Sequence, residues 1–276
     1  DSPLLLFLES DESHTATIVS SDATTDQLLA PGSRIVAEAL ERVGITLEEG
    51  VKMPSLSIGY FVSDEKFLNE CKKLRYGEEI GDNPKFIFQR NVSDIGHLTP
   101  TETIRPVLAL TREEALTMCA FDTKRYYATL ATRGGLGRNL LFVPVTMTTM
   151  DDCKSLSEAI GYDGLCVVAR EQLKGQGRQG CEFISREGTA MFTFSGSLPS
   201  PTVLSRCPSI VQYIACVAVA SAVHELSGVE DFPLRIKWPN DLYFNRAQKI
   251  GGLLMIARTV DDDVEFTMGI GINVSN

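Results

Sequence analysis

Four short segments carry residue types suited to a negatively charged ligand: Lys174-Gly-Gln-Gly-Arg-Gln-Gly180, Lys237-Trp-Pro-Asn-Asp241, Lys249-Ile-Gly-Gly252 and Gly269-Ile-Gly-Ile-Asn273. Gly175, Gly177 and Gly180 let a loop bring backbone N–H groups to an anion with no Cβ in the way. Arg178, among them, offers a planar fork for phosphate or carboxylate oxygens. Lys237 and Lys249 add point charges. Pro239 fixes a turn, and Asn240 and Asp241 supply side chains that bond turn amides or a metal's water. Gly251 and Gly252 suggest a bulge or a close approach to a ligand. In Gly269–Asn273 the glycines alternate with isoleucines, so they share one strand face and clear space for something flat. Each segment alone also fits an ordinary turn or bend.

Other chemistries find less support. The first segment is not a Walker loop, because no Gly-Lys-Ser/Thr closes it. Its glycines match the Gly-x-Gly-x-x-Gly of a dinucleotide-binding turn. The next residues, Cys181–Gly188, do not form an apolar helix, and no acidic residue ends a second parallel strand at the expected place. The three histidines, His14, His97 and His224, sit in no motif with a nucleophilic Ser or Cys. Cys181 beside Arg178 reads as a bystander thiol. Seven cysteines at irregular spacings, with no Cys-x-x-Cys, argue against a disulfide framework or a zinc site and for reduced thiols. A net charge of −10 disfavours non-specific binding to nucleic acid while leaving room for a local basic pocket. The two glycosylation patterns, at Asn91 and Asn273, would matter only in a secreted chain.

The elements that must position these residues are set by period and punctuation. The chain of 276 residues has room for one large domain or two smaller ones. Leu4–Leu8, Ser55–Val62 and Lys85–Gln89 read as strands. Ser33 caps a helix through Val43 that Gly44 stops. Residues 91–106, rich in Ser, Thr, Pro and Gly, read as a linker or long loop, and the chain is divided into a first part, 1–116, and a second, 117–276. In the second part Leu140–Thr146, Gly164–Arg170, Thr189–Ser195 and Leu234–Trp238 are strand-like. Thr148 or Thr149 caps a helix to Ile160, and Pro208–Leu226 is a long helix closed by Gly228. Lys249–Arg258 and Val264–Val274 form a hairpin about Asp261–Asp263. Hairpins in succession predict an α+β fold with a mixed, largely antiparallel sheet backed by helices. No apolar run reaches the roughly 18 residues that span a bilayer; Tyr213–Val223, the longest, reads as a buried helix. The start at Asp1 and the stop at Asn276, straight after a strand, read as those of a fragment.

In this order the four segments resemble the catalytic core of biotin–protein ligases, closest to the eukaryotic holocarboxylase synthetase branch. The resemblance runs from about Phe121 to Asn276 and includes Phe121–Tyr127 and Val143–Met150; residues 1–116 are only loosely similar to the non-catalytic extension of animal members. It implies a catalytic fold shared with class II aminoacyl-tRNA synthetases. The implied reaction uses ATP, with Mg2+, to make biotinyl-AMP, and passes the biotinyl group to a lysine in the biotin-accepting domain of a carboxylase. By matching positions, Thr148, Thr149, Gln172, Gly175, Gly177, Gly251 and Gly252 would serve biotin. Arg178, Phe183, Asn240, Lys249 and Asn273 would serve the nucleotide, and Lys237 and Arg178 would be catalytic. No protein metal ligand is assigned. Gln176, Phe183 and Cys181 depart from the family's usual residues in and after the glycine loop. The resemblance implies that the parts the family uses to complete ATP and acceptor contacts would lie beyond residue 276. The expected location is the cytoplasm, with the mitochondrion as the alternative, and neither DNA nor membrane is expected as a partner. The alternatives are a lipoate–protein ligase-like acyltransferase on the same fold and a non-catalytic biotin-binding derivative.

Overall fold

The computed structural model describes residues 5–8, 15–19, 46–48, 54–130, 135–161, 164–177 and 182–275. The chain divides into two compact units, Asp1–Ser55 and Leu56–Asn276. In the first, β1 (Leu5–Leu8), β2 (Thr15–Val19) and β3 (Thr46–Glu48) form a sheet in that order, with β1 antiparallel and β3 parallel to β2. The helix expected at 33–43 lies outside the described residues.

The second unit is built on a twelve-stranded sheet. Its order is β12 (Leu234–Lys237), β13 (Asp241–Phe244), β14 (Gln248–Val260), β15 (Asp263–Asn273), β11 (Thr189–Leu198), β9 (Leu165–Gln176), β8 (Asn139–Thr146), β4 (Gly59–Ser63), β7 (Ile104–Thr111), β6 (Lys85–Gln89) and β5 (Glu79–Ile80). The remaining strand, β10 (Glu182–Ser185), pairs with β9. All pairs are antiparallel except β4–β7, β6–β7 and β8–β9, so the expected mixed, largely antiparallel sheet is what the chain forms.

The boundary read at 116/117 does not coincide with the division at 55/56. The sheet runs through it, because β4 pairs with β7 on one side and with β8 on the other. Residues 91–106, read as a linker, hold a short helix (Val92–Ile95) and the start of β7. The strand escapes a sequence reading because Arg105 and Pro106 interrupt its apolar pattern, yet Arg105 is fully buried.

Two helices back the sheet at the places that matter for the site. In chain order, α1 (Glu65–Glu70), α2 (Val92–Ile95), α3 (Arg112–Met118) and α4 (Thr123–Thr129) precede α5 (Thr149–Ile160). Thr148 caps α5, its side chain accepting from the Met150 N–H. Its apolar stripe, Cys153, Leu156 and Ile160, packs on Leu141, Val143, Leu165 and Val167 and on Phe61, Phe86 and Phe88. Each such buried Leu or Phe contributes roughly 1.5–3 kcal/mol. After the short α6 (Val203–Arg206), α7 (Ser209–Ser227) ends at Gly228, whose φ of 63° suits a left-handed cap. Val211, Ala215, Val219 and Val223 of α7 pack on a core that includes Leu242, Leu253, Met268 and Ile270. By length and composition α7 is also apolar enough to cross a membrane. It is not the wholly buried helix expected: one side lies on the sheet, and Tyr213, Ile214 and Val217 on the other are exposed.

Candidate functional site

Strand register brings three of the four glycine-and-lysine segments into one line. Lys237 on β12 is opposite Asp241 on β13. Asp241 is opposite Gly252 on β14, Gly252 opposite Gly271 on β15, and Gly271 opposite Met191 on β11. Residues directly opposite share a face. The row therefore runs from a lysine and a carboxylate, across two glycines that put no side chain on that face and so form a shallow glycine trough between their neighbours, to Met191. The face is that of the α5 N-terminus: a Cβ on Gly269, two residues before Gly271, would lie 2.6 Å from Met150 Sδ. The isoleucines between these glycines, Ile270 and Ile272, join the core under α7 on the opposite face.

At the far end of the row is a buried polar cluster. Gln172 Oε1 accepts from the Thr149 N–H at 2.7 Å and from Thr149 Oγ1 at 2.9 Å. Thr193 Oγ1 donates to Thr149 Oγ1 at 2.8 Å, and Gln172 Nε2 donates to Ser185 Oγ at 3.1 Å. Thr148, Thr149, Gln172, Ser185 and Thr193 are all buried. Hydroxyl rotors in such a cluster can exchange partners, so they can meet either a donor or an acceptor edge of a ligand. Ser185 and Thr193 carry no sequence motif. The only trace of them is a small polar residue at an inward position of a strand, which becomes meaningful once β9, β10 and β11 are neighbours.

At the near end, Lys237 is exposed, with Nζ 5.1 Å from the Tyr243 ring centroid and 3.5 Å from its hydroxyl. Lys249 pairs with Asp241 at 2.8 Å. The turn between Lys237 and Asp241 contains a cis Trp238–Pro239 bond. Asn240 is buried and commits its side chain to the backbone, Nδ2 donating to Leu253 O at 2.6 Å while its own carbonyl accepts from the Leu253 N–H. It ties the turn to β14. Trp238, the single tryptophan, is 78% exposed rather than in the core.

The other expected positions are spread over the hairpins. Gly175 ends up in β9, opposite Phe183 on β10, so the glycine segment lies between two antiparallel strands and not between a strand and a helix. Gly177 leads into that connection; Arg178, Gly180 and Cys181 lie outside the described residues, as do the side chains of Gln176 and Phe183. Gly251 is opposite Ile272, on the face away from the row, and a Cβ there would lie 2.6 Å from Gly271 O. Its need for glycine is backbone approach between β14 and β15, whereas Gly252 faces the trough. Asn273 is exposed at the end of β15, opposite Thr189.

Burial sets the ionisation of neighbouring groups. It pushes the carboxyl of Asp152, in the first turn of α5, above its usual range, and the Arg105 guanidinium opposes that shift. Asp151 is raised by burial too, with Lys154 opposing. Among the described residues there is no group of three His, Cys, Asp or Glu side chains that could hold a metal ion.

Parts of the chain are similar to known proteins. Residues 141–273, from β8 to the end of β15, match the profile of the biotin/lipoate A/B protein ligase family. A human protein named biotin–protein ligase is 34% identical over 248 residues, covering 88% of this chain and 34% of the relative. Biotin–protein ligase 2 of Arabidopsis thaliana is 32% identical over 143 residues, 51% of this chain and 42% of that protein. The chain thus spans well under half the length of either. Among solved structures, a biotin protein ligase from Leishmania major in complex with biotin aligns with a TM-score of 0.39 and 26% identity, over 49% of this chain and 56% of that one.

Proposed function

We propose, from the match of residues 141–273 to the biotin/lipoate A/B protein ligase family, that the protein containing this chain is a biotin–protein ligase of the eukaryotic branch. The observation that carries the proposal is the register line Lys237–Asp241–Gly252–Gly271, which leads to the buried Thr149–Gln172–Thr193 cluster. A polar head in the cluster, an alkyl tail over the glycine trough and a carboxylate near the lysines is the outline of biotin approaching a nucleotide.

In the proposed chemistry a biotin carboxylate oxygen attacks the α-phosphorus of ATP, and pyrophosphate leaves. A carboxylase lysine amine then attacks the acyl carbon of biotinyl-AMP, forms the amide, loses its proton, and AMP leaves. Neither step needs an enzyme nucleophile, so positioning and charge stabilisation can supply the catalysis. That suits a site with no histidine among its residues. Lys237 and Arg178 would balance charge on the phosphate oxygens. Magnesium enters as part of the MgATP substrate, held through phosphate oxygens in the usual manner of this ion; Asp241, the nearest carboxylate in the row, is already engaged with Lys249.

The cluster also favours biotin over lipoate. A ureido group can pair with Thr149, Gln172 and Thr193, whereas a dithiolane ring would displace their partners and offer none, a mismatch sites of this kind reject strongly. The test is biotin-dependent exchange of pyrophosphate into ATP by the full-length protein. Lys237→Ala and Arg178→Glu are each expected to abolish it, and near-normal exchange in both would remove these residues from the mechanism. Calorimetric titration with biotin and with lipoate checks the substrate: heat with lipoate alone would reverse the assignment.

A further inference from the structure

The turn that carries Thr148 and Thr149 is held from two sides. From within the family-matched core, Gln172 binds Thr149, and the Lys174 N–H binds the Met147 carbonyl at 2.8 Å. From outside it, Arg105 on β7 reaches both flanks of the same turn. Its Nη2 donates to Thr146 Oγ1, at the end of β8, at 2.8 Å. The same nitrogen lies 3.6 Å from Asp152 Oδ1 in the first turn of α5. Thr146 Oγ1 in turn donates to Asp152 Oδ2. The other nitrogen, Nη1, donates to Ser57 O at 3.0 Å, which anchors the guanidinium to the segment before β4.

This is an expensive way to join a strand to a helix. Arg105 and Asp152 are 0% and 1% exposed, and Arg105 Nε has no hydrogen-bond partner. Two buried charges stabilise a fold no better than well-packed apolar residues would, so the pair's stability contribution does not explain its presence. Close packing does not replace it either. A cavity of about 190 Å³ opens beside the turn, lined by Arg105, Thr103, Met147, Thr148 and Asp152 among others. On that side the turn is located by polar tethers of fixed geometry.

We propose that Arg105 is a positioning residue of the candidate active site: through Thr146 and Asp152 it sets the turn that presents Thr148 and Thr149 to the substrate. The proposal rests on the ligase reading above and gives the segment before residue 117 a part in it.

The experiment compares full-length protein with Arg105→Met, Arg105→Lys and the double variant Arg105→Met/Asp152→Leu, which leaves no lone buried charge. Pyrophosphate exchange yields KM for biotin and for ATP. The expected result is a rise in biotin KM of about tenfold or more in both Met variants, with ATP KM nearly unchanged. A smaller rise is expected for Lys, which keeps the charge and loses the fork. A merely structural role lowers the amount of active protein, and with it kcat, but leaves biotin KM alone; that outcome overturns the proposal. If neither Met variant folds, Arg105→Lys decides by the same criterion. A parent protein that neither exchanges pyrophosphate nor binds biotin overturns the ligase reading and this proposal together. An active parent with an unmoved biotin KM overturns this one only.

Discussion

At the scale of single residues, chemistry and architecture separate at neighbouring positions. Gly251 and Gly252 look alike in sequence and face opposite ways. A Cβ on Gly251 meets the Gly271 carbonyl oxygen at 2.6 Å, a backbone atom that cannot step aside; the nearest atom to one on Gly252 is Asp241 Oδ1, at 3.4 Å. Gly251→Ala is therefore expected to lose about 1–3 kcal/mol of stability. Gly252→Ala should melt within a few degrees of the parent while weakening biotin binding, because its methyl projects into the trough. Thermal unfolding and calorimetric titration of the two proteins check this, and equal loss of stability in both would contradict the face assignment. Gln172→Met leaves the buried Thr149 N–H without its acceptor, which costs on the order of 1–3 kcal/mol. Biotin affinity should fall with it. The lysines were legible because their neighbours are unusual. Ser185 and Thr193 were not, since a buried hydroxyl announces itself only when the strand beside it is known.

At the scale of elements, the caps of the two main helices offer a matched pair of tests. Thr148 caps α5 at the cluster, and Gly228 closes α7 on the other face of the sheet with φ of 63°. Thr148→Ala should cost about 1 kcal/mol and, on the proposed reading that places biotin at this turn, impair pyrophosphate exchange. Gly228→Ala should cost a similar amount, roughly 1 kcal/mol, and leave exchange unchanged. Denaturant titration alongside the exchange assay distinguishes them. Many of the elements around the site were readable from pattern: β8, α5, β11, α7 and the β14–β15 hairpin all stand where period and caps placed them. Among those that were not, β7 shows what pattern cannot carry. An arginine in a strand reads as solvent-facing, and its burial depends on distant partners, Ser57 O, Thr146 and the Asp152 carboxylate, which no local pattern announces.

At the scale of the molecule, burial of thiols gives a pH dependence whose sign can be stated. The Cys166 and Cys216 thiols are each pushed up to about 11 by burial, and Cys153 is also raised well above its ordinary value. An unfolded thiol titrates near 8.5. Between that value and 11 the folded state holds more protons than the unfolded one, so stability falls as pH rises, by up to about 1.4 kcal/mol per pH unit for each thiol. Below about pH 8 that contribution is fully present. Urea titrations from pH 8 to 10.5 should show the decline, and Cys166→Ala should reduce its slope. A parent and variant with parallel slopes would contradict it. The same burial predicts that at pH 8 the exposed Cys207 alkylates readily while Cys153, Cys166 and Cys216 do not, as peptide mapping would reveal. The amino-acid sequence by itself pointed to an anionic ligand and determined many of the local elements, because glycine, proline, lysine and cap residues act through bonds and neighbours a few positions away. Tertiary structure alone decided which glycine faces the trough, which hydroxyls form the cluster, and that a buried arginine from the segment before residue 117 holds both flanks of the Thr148–Thr149 turn. These depend on register and on pairing across the sheet, where a shift of one residue turns every side chain to the other face.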